Sequence, residues 1–268
     1  MTDESWAAFV AVAEPAVFRR TAGLSWREVR DGRCDQVMEP VPAMCEADGR
    51  TSLGALALLV DSAAGMAAST PRGGTVTLGL RVELARTTIG SQVEVQGRAT
   101  AIGPVARLAR GELFDTDGMF GHATLRAIDG VSWGRSATPE TPHRPRDAAT
   151  VQARSVDELI ELTVEERRPD WVRAGATARA ELGSGHRMLH GGAVALVAER
   201  VARGLLDGLA PVVLEIDYLR PVASDGARIS ATAATVNESR RFVHVAAEVL
   251  DDEGRRAATA RVVGVRGG

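Results

Sequence analysis

One stretch of the sequence combines a histidine, two glycines and an acid around an apolar helix. The segment HRMLHGGAVALVAERVA, residues 186–202, contains His190, Gly191 and Gly192 in a turn and Glu199 inside the apolar run that follows. The N–H groups at a helix N-terminus can stabilise an oxyanion, and a carboxylate can act as a nucleophile or a general base. The segment therefore has the residue types needed for chemistry at a carbonyl group.

A second stretch has the same rhythm. The segment TSLGALALLVDSAAGMA, residues 51–67, places Gly54 and Asp61 at the matching positions and lacks the histidine. A carboxylate in an apolar environment is rarely stable without a partner, so we interpret Asp61 as a functional acid. Glu199 is different, because Arg203 lies four residues further on and favours an ordinary surface salt bridge.

Composition excludes several classes of chemistry. The chain of 268 residues contains no lysine, which rules out Schiff-base and Walker lysines. Its net charge of −3 argues against a nucleic-acid partner. Cys34 and Cys45 are too few for a disulfide framework or a thiolate zinc site. His186 and His190 precede the helix and have no apparent third ligand, so we predict no metal and no redox cofactor.

The first twenty residues contain an apolar run that is interrupted by Glu14 and Pro15. This pattern predicts an amphipathic helix over residues 4–20 rather than a signal peptide. No run approaches the ~18 apolar residues of a membrane span. We therefore predict a cytoplasmic protein without a membrane span.

The sequence contains the same pattern twice. Each copy predicts a strand, a helix and about four antiparallel strands, with alternating apolar and polar residues. The matching positions are Asp61 and Glu199, Arg86 and Arg220, and Gly118 and Gly254. A helix laid across a curled sheet leaves one sheet edge open, and a second copy can close it. We therefore expect one continuous sheet with two helices side by side.

The predicted boundaries follow from this repeat. Residues 1–133 form the first unit, residues 134–154 a linker rich in Pro, Thr, Arg and Ala, and residues 155–268 the second unit. The second unit is predicted to begin with a helix over residues 155–168, with Ser155 as its N-cap.

The segments LHGGAVALVAERVA and VVLEIDYLRP, with LGALALLVDSAAG and VTLGLRVELART in the first copy, resemble the hot dog-fold acyl-CoA thioesterases. The nearest resemblance is to the PaaI-like group. It covers roughly residues 26–129 and 171–265. It implies an α+β fold, a tandem hot dog in which each unit is a central helix wrapped by a curled antiparallel sheet. The two units would form an internal pseudo-dimer.

The resemblance also implies that each active site lies between two units. One unit supplies the helix N-terminus, where the N–H after the histidine, here Gly191, polarises the thioester carbonyl. The facing unit supplies the acid and a strand hydroxyl, which match Asp61 and Thr77. Gly192 completes the turn that begins at His190, and His190 has a supporting role.

The two halves carry unequal shares of this pattern. One composite site holds His190, Gly191, Asp61 and Thr77. The other is altered nearly everywhere, at Ser52, Leu53, Glu199 and Pro211, and keeps Gly54 at the position of Gly192. We therefore predict one working site and one decayed second site.

Three further residues are predicted to bind substrate. Ser184 lies where the family often has an asparagine, six residues before the histidine. Arg240 and Arg241 lie at a predicted hairpin turn, where guanidinium groups can contact the phosphates of coenzyme A. We assign Tyr218 to sheet packing.

The predicted function is hydrolysis of an acyl-CoA thioester to the free acid and coenzyme A, with coenzyme A entering only as part of the substrate. Two alternatives stay open: a non-catalytic acyl-CoA-binding or structural hot dog protein, and a hydratase or dehydratase that uses the His190 imidazole. Association of the pseudo-dimer into a homo-oligomer also remains open.

Overall fold

The computed structural model describes residues 16–39, 41–70, 74–87, 92–130, 153–184 and 187–266. The α-helices are α1 (Ala16–Ala22), α2 (Leu53–Ser69), α3 (Val156–Leu159) and α4 (Gly191–Arg203). The strands of the first half are β1 (Leu24–Arg30), β2 (Arg33–Met38), β3 (Thr75–Leu84), β4 (Val93–Ile102), β5 (Arg107–Asp115) and β6 (Gly118–Asp129). Those of the second half are β7 (Thr163–Arg168), β8 (Trp171–Thr177), β9 (Ala210–Tyr218), β10 (Arg228–Glu238), β11 (Phe242–Leu250) and β12 (Arg256–Val265).

All twelve strands form one antiparallel sheet in the order β1-β2-β4-β5-β6-β3-β9-β12-β11-β10-β8-β7. The order reads the same from either edge, because each strand of the first half has a counterpart in the second. The halves meet where β3 pairs with β9, from Gly79 opposite Asp217 to Glu83 opposite Val213. The prediction of one continuous sheet is confirmed.

The predicted fold class is wrong. The α+β description gave each unit a central helix wrapped by its own sheet. The described residues instead contain twelve strands and only four α-helices, and the strands form a single sheet. The reason lies in β3 and β9, whose backbone N–H and C=O groups pair with each other across the middle of the sheet.

The helices α2 and α4 lie side by side and contact each other extensively. Every residue of α2 except Gly65 is buried. Two glycines allow the close approach: a Cβ on Gly192 would lie 2.3 Å from the Leu58 Cα, and one on Gly54 would lie 2.9 Å from the Leu196 Cα. The two contacts are related by the pseudo-symmetry of the sheet, so these glycines serve helix packing.

The helix predicted for residues 155–168 is too long. Ser155 does cap α3, since its side chain accepts a hydrogen bond from the Glu158 N–H at 3.2 Å. However, α3 ends at Leu159, and β7 begins at Thr163 and pairs with β8. A neighbouring strand with free backbone groups therefore determines the conformation of these residues more strongly than their helical pattern.

The predicted linker lies almost wholly outside the described residues, as does most of the helix predicted for residues 4–20. The three predicted domain boundaries therefore stay predictions. No helix in the described part of the chain is both long and apolar enough to cross a bilayer.

Candidate active site

Asp61 lies on α2 and is only 6% exposed. Its carboxylate accepts two hydrogen bonds from different elements. The Thr77 hydroxyl on β3 donates to Oδ1 at 2.8 Å, and the Gly192 N–H at the start of α4 donates to Oδ2 at 2.8 Å. The interpretation of Asp61 as a partnered, buried acid rather than an exposed one therefore agrees with the structure.

The position of Thr77 depends on an irregularity in β3. The register between β3 and β6 shifts between Thr77 and Gly79, so that Leu78 is the extra residue of a bulge. A bulge turns the side chains next to it relative to the regular pleat. Leu78 is 38% exposed, whereas the hydroxyl of Thr77 reaches the Asp61 carboxylate.

The glycine turn of the second half brings its backbone against Asp61. A Cβ on Gly191 would lie 2.7 Å from Asp61 Oδ2, so a side chain there would displace the Asp61 carboxylate. The turn is anchored on the other side, because the His190 N–H donates to the Leu182 carbonyl at 2.9 Å. Gly191 thus gives room to the carboxylate of the facing half.

Within the described residues, the Gly191 N–H has no acceptor, whereas the next amide, Gly192 N–H, binds Asp61. Both amides belong to the first turn of α4, where the helix dipole favours negative charge. The turn can therefore hold the Asp61 carboxylate with one amide and a second oxygen atom with the other.

His190 is the N-cap of α4. Its Nδ1 accepts from the Gly192 N–H at 3.2 Å and lies 3.2 Å from Asp61 Oδ2. Its ring stacks on Phe18 of α1, with centroids 4.5 Å apart, and Phe18 is fully buried. Both contacts fix the ring in place, as expected of a residue that supports the turn.

The sequence analysis missed a role for Tyr218, which was assigned to sheet packing. Its hydroxyl donates to the Gly191 carbonyl at 3.0 Å. Desolvation and the nearby Asp61 carboxylate raise the pKa of Tyr218 well above its usual value. The only signal in the sequence was that this is the chain's single tyrosine, at the end of an apolar strand.

The second position between the halves, related to the first by pseudo-symmetry, is lined by different residues. Ser52 caps α2 by accepting from the Ala55 N–H at 3.1 Å. Leu53 stands where the other half has Gly191, and it is 2% exposed. Pro211 stands where the other half has Thr77 and has no hydroxyl. The space beside the α2 N-terminus is therefore occupied by an apolar side chain.

Glu199 is fully buried, so the ion pair predicted between it and Arg203 is present but does not lie at the surface. Neither carboxylate oxygen has a hydrogen-bond partner among the described residues, and the Arg203 guanidinium lies 3.7 Å away. A Cβ on Gly54 would lie 3.3 Å from Oε2, so the acid faces the start of α2. Burial, then the Glu46 carboxylate, raises the pKa of Glu199 to about 7.

A network of ion pairs surrounds Glu199. Arg200 binds Asp157 at 2.8 Å and Glu46 at 3.0 Å, and Arg203 binds Glu46 at 3.2 Å. These pairs connect α4 to α3 and to the segment that precedes α2. With Glu199 protonated, the two arginines and the two other acids balance in charge.

The remaining predicted site residues do not contact Asp61. The Ser184 hydroxyl donates to the Met188 carbonyl at 3.2 Å, within the loop before α4. Arg240 and Arg241 are exposed on the turn between β10 and β11. That turn is bonded to Arg266 beside the Ala210 end of β9, opposite the end that carries Tyr218. His186 lies outside the described residues.

Comparisons with known proteins identify the fold. No protein-family model matches the sequence, and the comparison with curated protein sequences finds no match. Among solved structures, the tesB protein of Mycobacterium avium subs paratuberculosis is similar, with a TM-score of 0.67, 14% identity, and 94% of this chain and 100% of that chain covered.

Two further structures are similar. The acyl-CoA thioesterase II TesB2 of Mycobacterium marinum has a TM-score of 0.64 and 12% identity, with 94% of this chain and 98% of that chain covered. An acyl-ACP thioesterase of Bacteroides thetaiotaomicron has a TM-score of 0.57 and 17% identity, with 88% and 98% covered.

These similarities assign the chain a fold, the double hot dog fold of TesB. The predicted resemblance to hot dog proteins is confirmed at that level. The narrower assignment to the PaaI-like group is not confirmed.

Proposed function

We propose that this protein hydrolyses acyl thioesters at one composite site between its halves. One observation carries the proposal. The buried Asp61 carboxylate of the first half is bound to the α4 N-terminus of the second half, and the adjacent Gly191 N–H is free within the described residues. A carboxylate and an oxyanion donor side by side are what acyl transfer to water requires.

In the proposed reaction, Asp61 takes a proton from a water molecule, and the resulting hydroxide adds to the thioester carbonyl carbon. The Gly191 N–H binds the oxyanion of the tetrahedral intermediate. The intermediate then expels the thiolate, which takes the proton back from Asp61, so the products are the free acid and the thiol. Thr77 holds Asp61 through its hydroxyl bond to Oδ1.

A second route uses the same residues. Asp61 attacks the carbonyl carbon itself, expels the thiolate and forms a mixed anhydride, which water then hydrolyses to the acid and free Asp61. Rapid quench and mass spectrometry of Asp61 during single turnover distinguish the two routes, because only the anhydride route acylates the carboxylate.

The proposed substrate is an acyl-CoA. Coenzyme A enters as the leaving group, and no metal or redox cofactor takes part. The similar TesB2 structure is named an acyl-CoA thioesterase and the Bacteroides structure an acyl-ACP thioesterase. Both carriers present the same thioester, so the assay compares them directly. The PaaI-like substrate range and a cytoplasmic location are part of the same proposal.

The proposal places chemistry at only one of the two pseudo-symmetric positions. At the other, Leu53 fills the place of Gly191, Pro211 replaces Thr77, and Glu199 accepts no hydrogen bond among the described residues. An acyl carbonyl has no approach to the α2 N-terminus past a buried leucine.

The test is a thiol-release assay over short-chain, medium-chain, long-chain and aryl-acetyl CoA thioesters, repeated with acyl carrier protein. We expect Asp61→Asn to reduce turnover at least ~100-fold, because a neutral amide cannot accept the proton from water. Glu199→Gln is the matched control and should retain most of the activity. The opposite ranking rejects the site assignment, and acyl-CoA binding without thiol release by the wild type favours a non-catalytic binding protein.

A further inference from the structure

Tyr218 and Asp61 bind the two ends of one peptide group. The Tyr218 hydroxyl donates to the Gly191 carbonyl at 3.0 Å, and the Gly192 N–H donates to Asp61 Oδ2 at 2.8 Å. The Gly191 carbonyl and the Gly192 N–H belong to the same planar peptide unit. A single chain of hydrogen bonds therefore runs from Tyr218 through this peptide to Asp61, and on to Thr77.

A peptide between two glycines needs such a restraint. Neither residue has a Cβ, so the steric limits that fix other peptide planes are weak. Rotation of this plane would turn the Gly192 N–H away from Asp61. Asp61 holds the N–H side of the plane, and Tyr218 holds the carbonyl side.

We propose that Tyr218 is a positioning residue that fixes the Gly191–Gly192 peptide plane, and through it the Asp61 carboxylate. The catalytic consequence rests on the proposed function. The restraint itself is a property of the turn and is measurable without substrate. A hydrogen bond to the carbonyl also polarises the amide, which strengthens its N–H as a donor to Asp61.

The pseudo-symmetric position between the halves offers an internal comparison. The bulge residues Leu78 of β3 and Val212 of β9 are 134 positions apart, and the same offset relates Leu84 to Tyr218. Leucine has no hydroxyl to bind a peptide carbonyl. At the pseudo-symmetric position between the halves the acid, Glu199, has no hydrogen-bond partner among the described residues. Asp61, the acid that accepts a hydrogen bond from a backbone amide, is thus the one that faces a turn held by a tyrosine.

The experiment compares Tyr218→Phe with Thr70→Val in the full-length protein. Phenylalanine keeps the ring and removes only the hydroxyl. Thr70 is a suitable control because it is also buried, and its hydroxyl accepts from the Gly32 N–H at 2.6 Å at the far end of α2 from the glycine turn. Two readouts are measured: hydrogen exchange of the Gly191 and Gly192 amides by NMR, and kcat and KM for thioester hydrolysis.

We expect Tyr218→Phe to accelerate exchange of the Gly192 amide and to lower kcat about tenfold or more, because a displaced catalytic group costs rate. KM should stay within about twofold, since the proposed role of the Tyr218 hydroxyl is its bond to the Gly191 carbonyl and not a contact with substrate. Thr70→Val should change neither amide nor kcat. An unchanged Gly192 amide in Tyr218→Phe, or a changed amide with wild-type kcat, overturns the positioning role. If the wild type releases no thiol, the proposed function fails, and the amide measurement alone accepts or rejects the restraint.

Discussion

Asp61 and Glu199 show how two residues at equivalent places in a fold acquire different properties. Asp61 accepts hydrogen bonds from Thr77 and from the Gly192 amide, which compensate its burial. Glu199 is buried more completely and accepts none within the described residues. Burial without a hydrogen-bond donor favours the protonated form of Glu199.

The raised pKa of Glu199 makes a prediction about stability. Its pKa is about 7 in the folded protein against 4.5 for an ordinary glutamate. Between these pH values the unfolded chain has lost the proton and the folded chain keeps it. The free energy of unfolding therefore falls as pH rises through this window, by on the order of 3 kcal/mol in total, and the loss stays constant above it.

Glu199→Gln cannot titrate, so its stability relative to the wild type should increase from about pH 5 to about pH 8. Urea denaturation across this range measures the difference. Glu253→Gln removes an exposed acid and should follow the wild type. A constant difference between Glu199→Gln and the wild type would show that Glu199 ionises at an ordinary pH.

At the scale of the elements, adjacent glycines in one turn have separate tasks. Gly192 allows α4 to lie against the backbone of α2 at Leu58, whereas Gly191 gives room to the side chain of Asp61. A backbone neighbour cannot move without shifting a helix, but a carboxylate can rotate away. The same addition of one methyl group should therefore have different consequences at the two positions.

We expect Gly192→Ala to lower the free energy of unfolding by about 2–3 kcal/mol, because the new Cβ forces α2 and α4 apart. Gly191→Ala should change stability by less than about 1 kcal/mol but reduce thiol release at least about tenfold, because Asp61 loses its place beside the turn. Denaturation and the thiol assay on the same preparations separate the two effects. Equal losses of stability in both variants would contradict this division.

The sequence predicts some of the helices and strands correctly and others incorrectly. Because nearly all residues of α2 and α4 are buried, both helices are visible in the sequence as apolar runs. Alternation of apolar and polar residues predicts the strands that follow them. Sequence reasoning failed at residues 163–168, where pairing with β8 makes a strand of a helical pattern. It also failed at Tyr218, because a hydrogen bond to a backbone carbonyl in another element leaves no periodic signal.

The resemblance, and not periodicity, placed Asp61, Thr77 and the glycine turn together. The structure brings them into contact, and their catalytic role stays a prediction.

For the whole molecule, the junction between the halves is continuous in both layers. The β3–β9 pairing joins the sheet, and α2 packs against α4 above it. Ion pairs cross the same junction on the exposed face, where Arg81 binds Glu215 at 2.9 Å and Arg126 binds Asp217 at 2.7 Å. Exposed pairs of this kind contribute little each, so the buried helix contact and the backbone ladder hold the halves together.

This predicts that the covalent connection between residues 130 and 153 is not what holds the halves together. A protease site inserted after residue 140 should allow cleavage into two pieces that stay associated and elute at the mass of the intact chain. Size-exclusion chromatography with and without protease tests this, and a variant that also carries Gly192→Ala should dissociate more readily. Separation of the cleaved wild-type pieces at micromolar concentration would show that the junction depends on the connection.

The residues around Asp61 come from both halves, and this limits what either half could assemble with a copy of itself. A dimer made of two first halves would set Asp61 against Leu53, and a dimer made of two second halves would set Glu199 against Gly191 beside Pro211. Neither combination contains the aspartate, the threonine and the glycine turn together. Only the joined polypeptide holds the complete set, once per molecule.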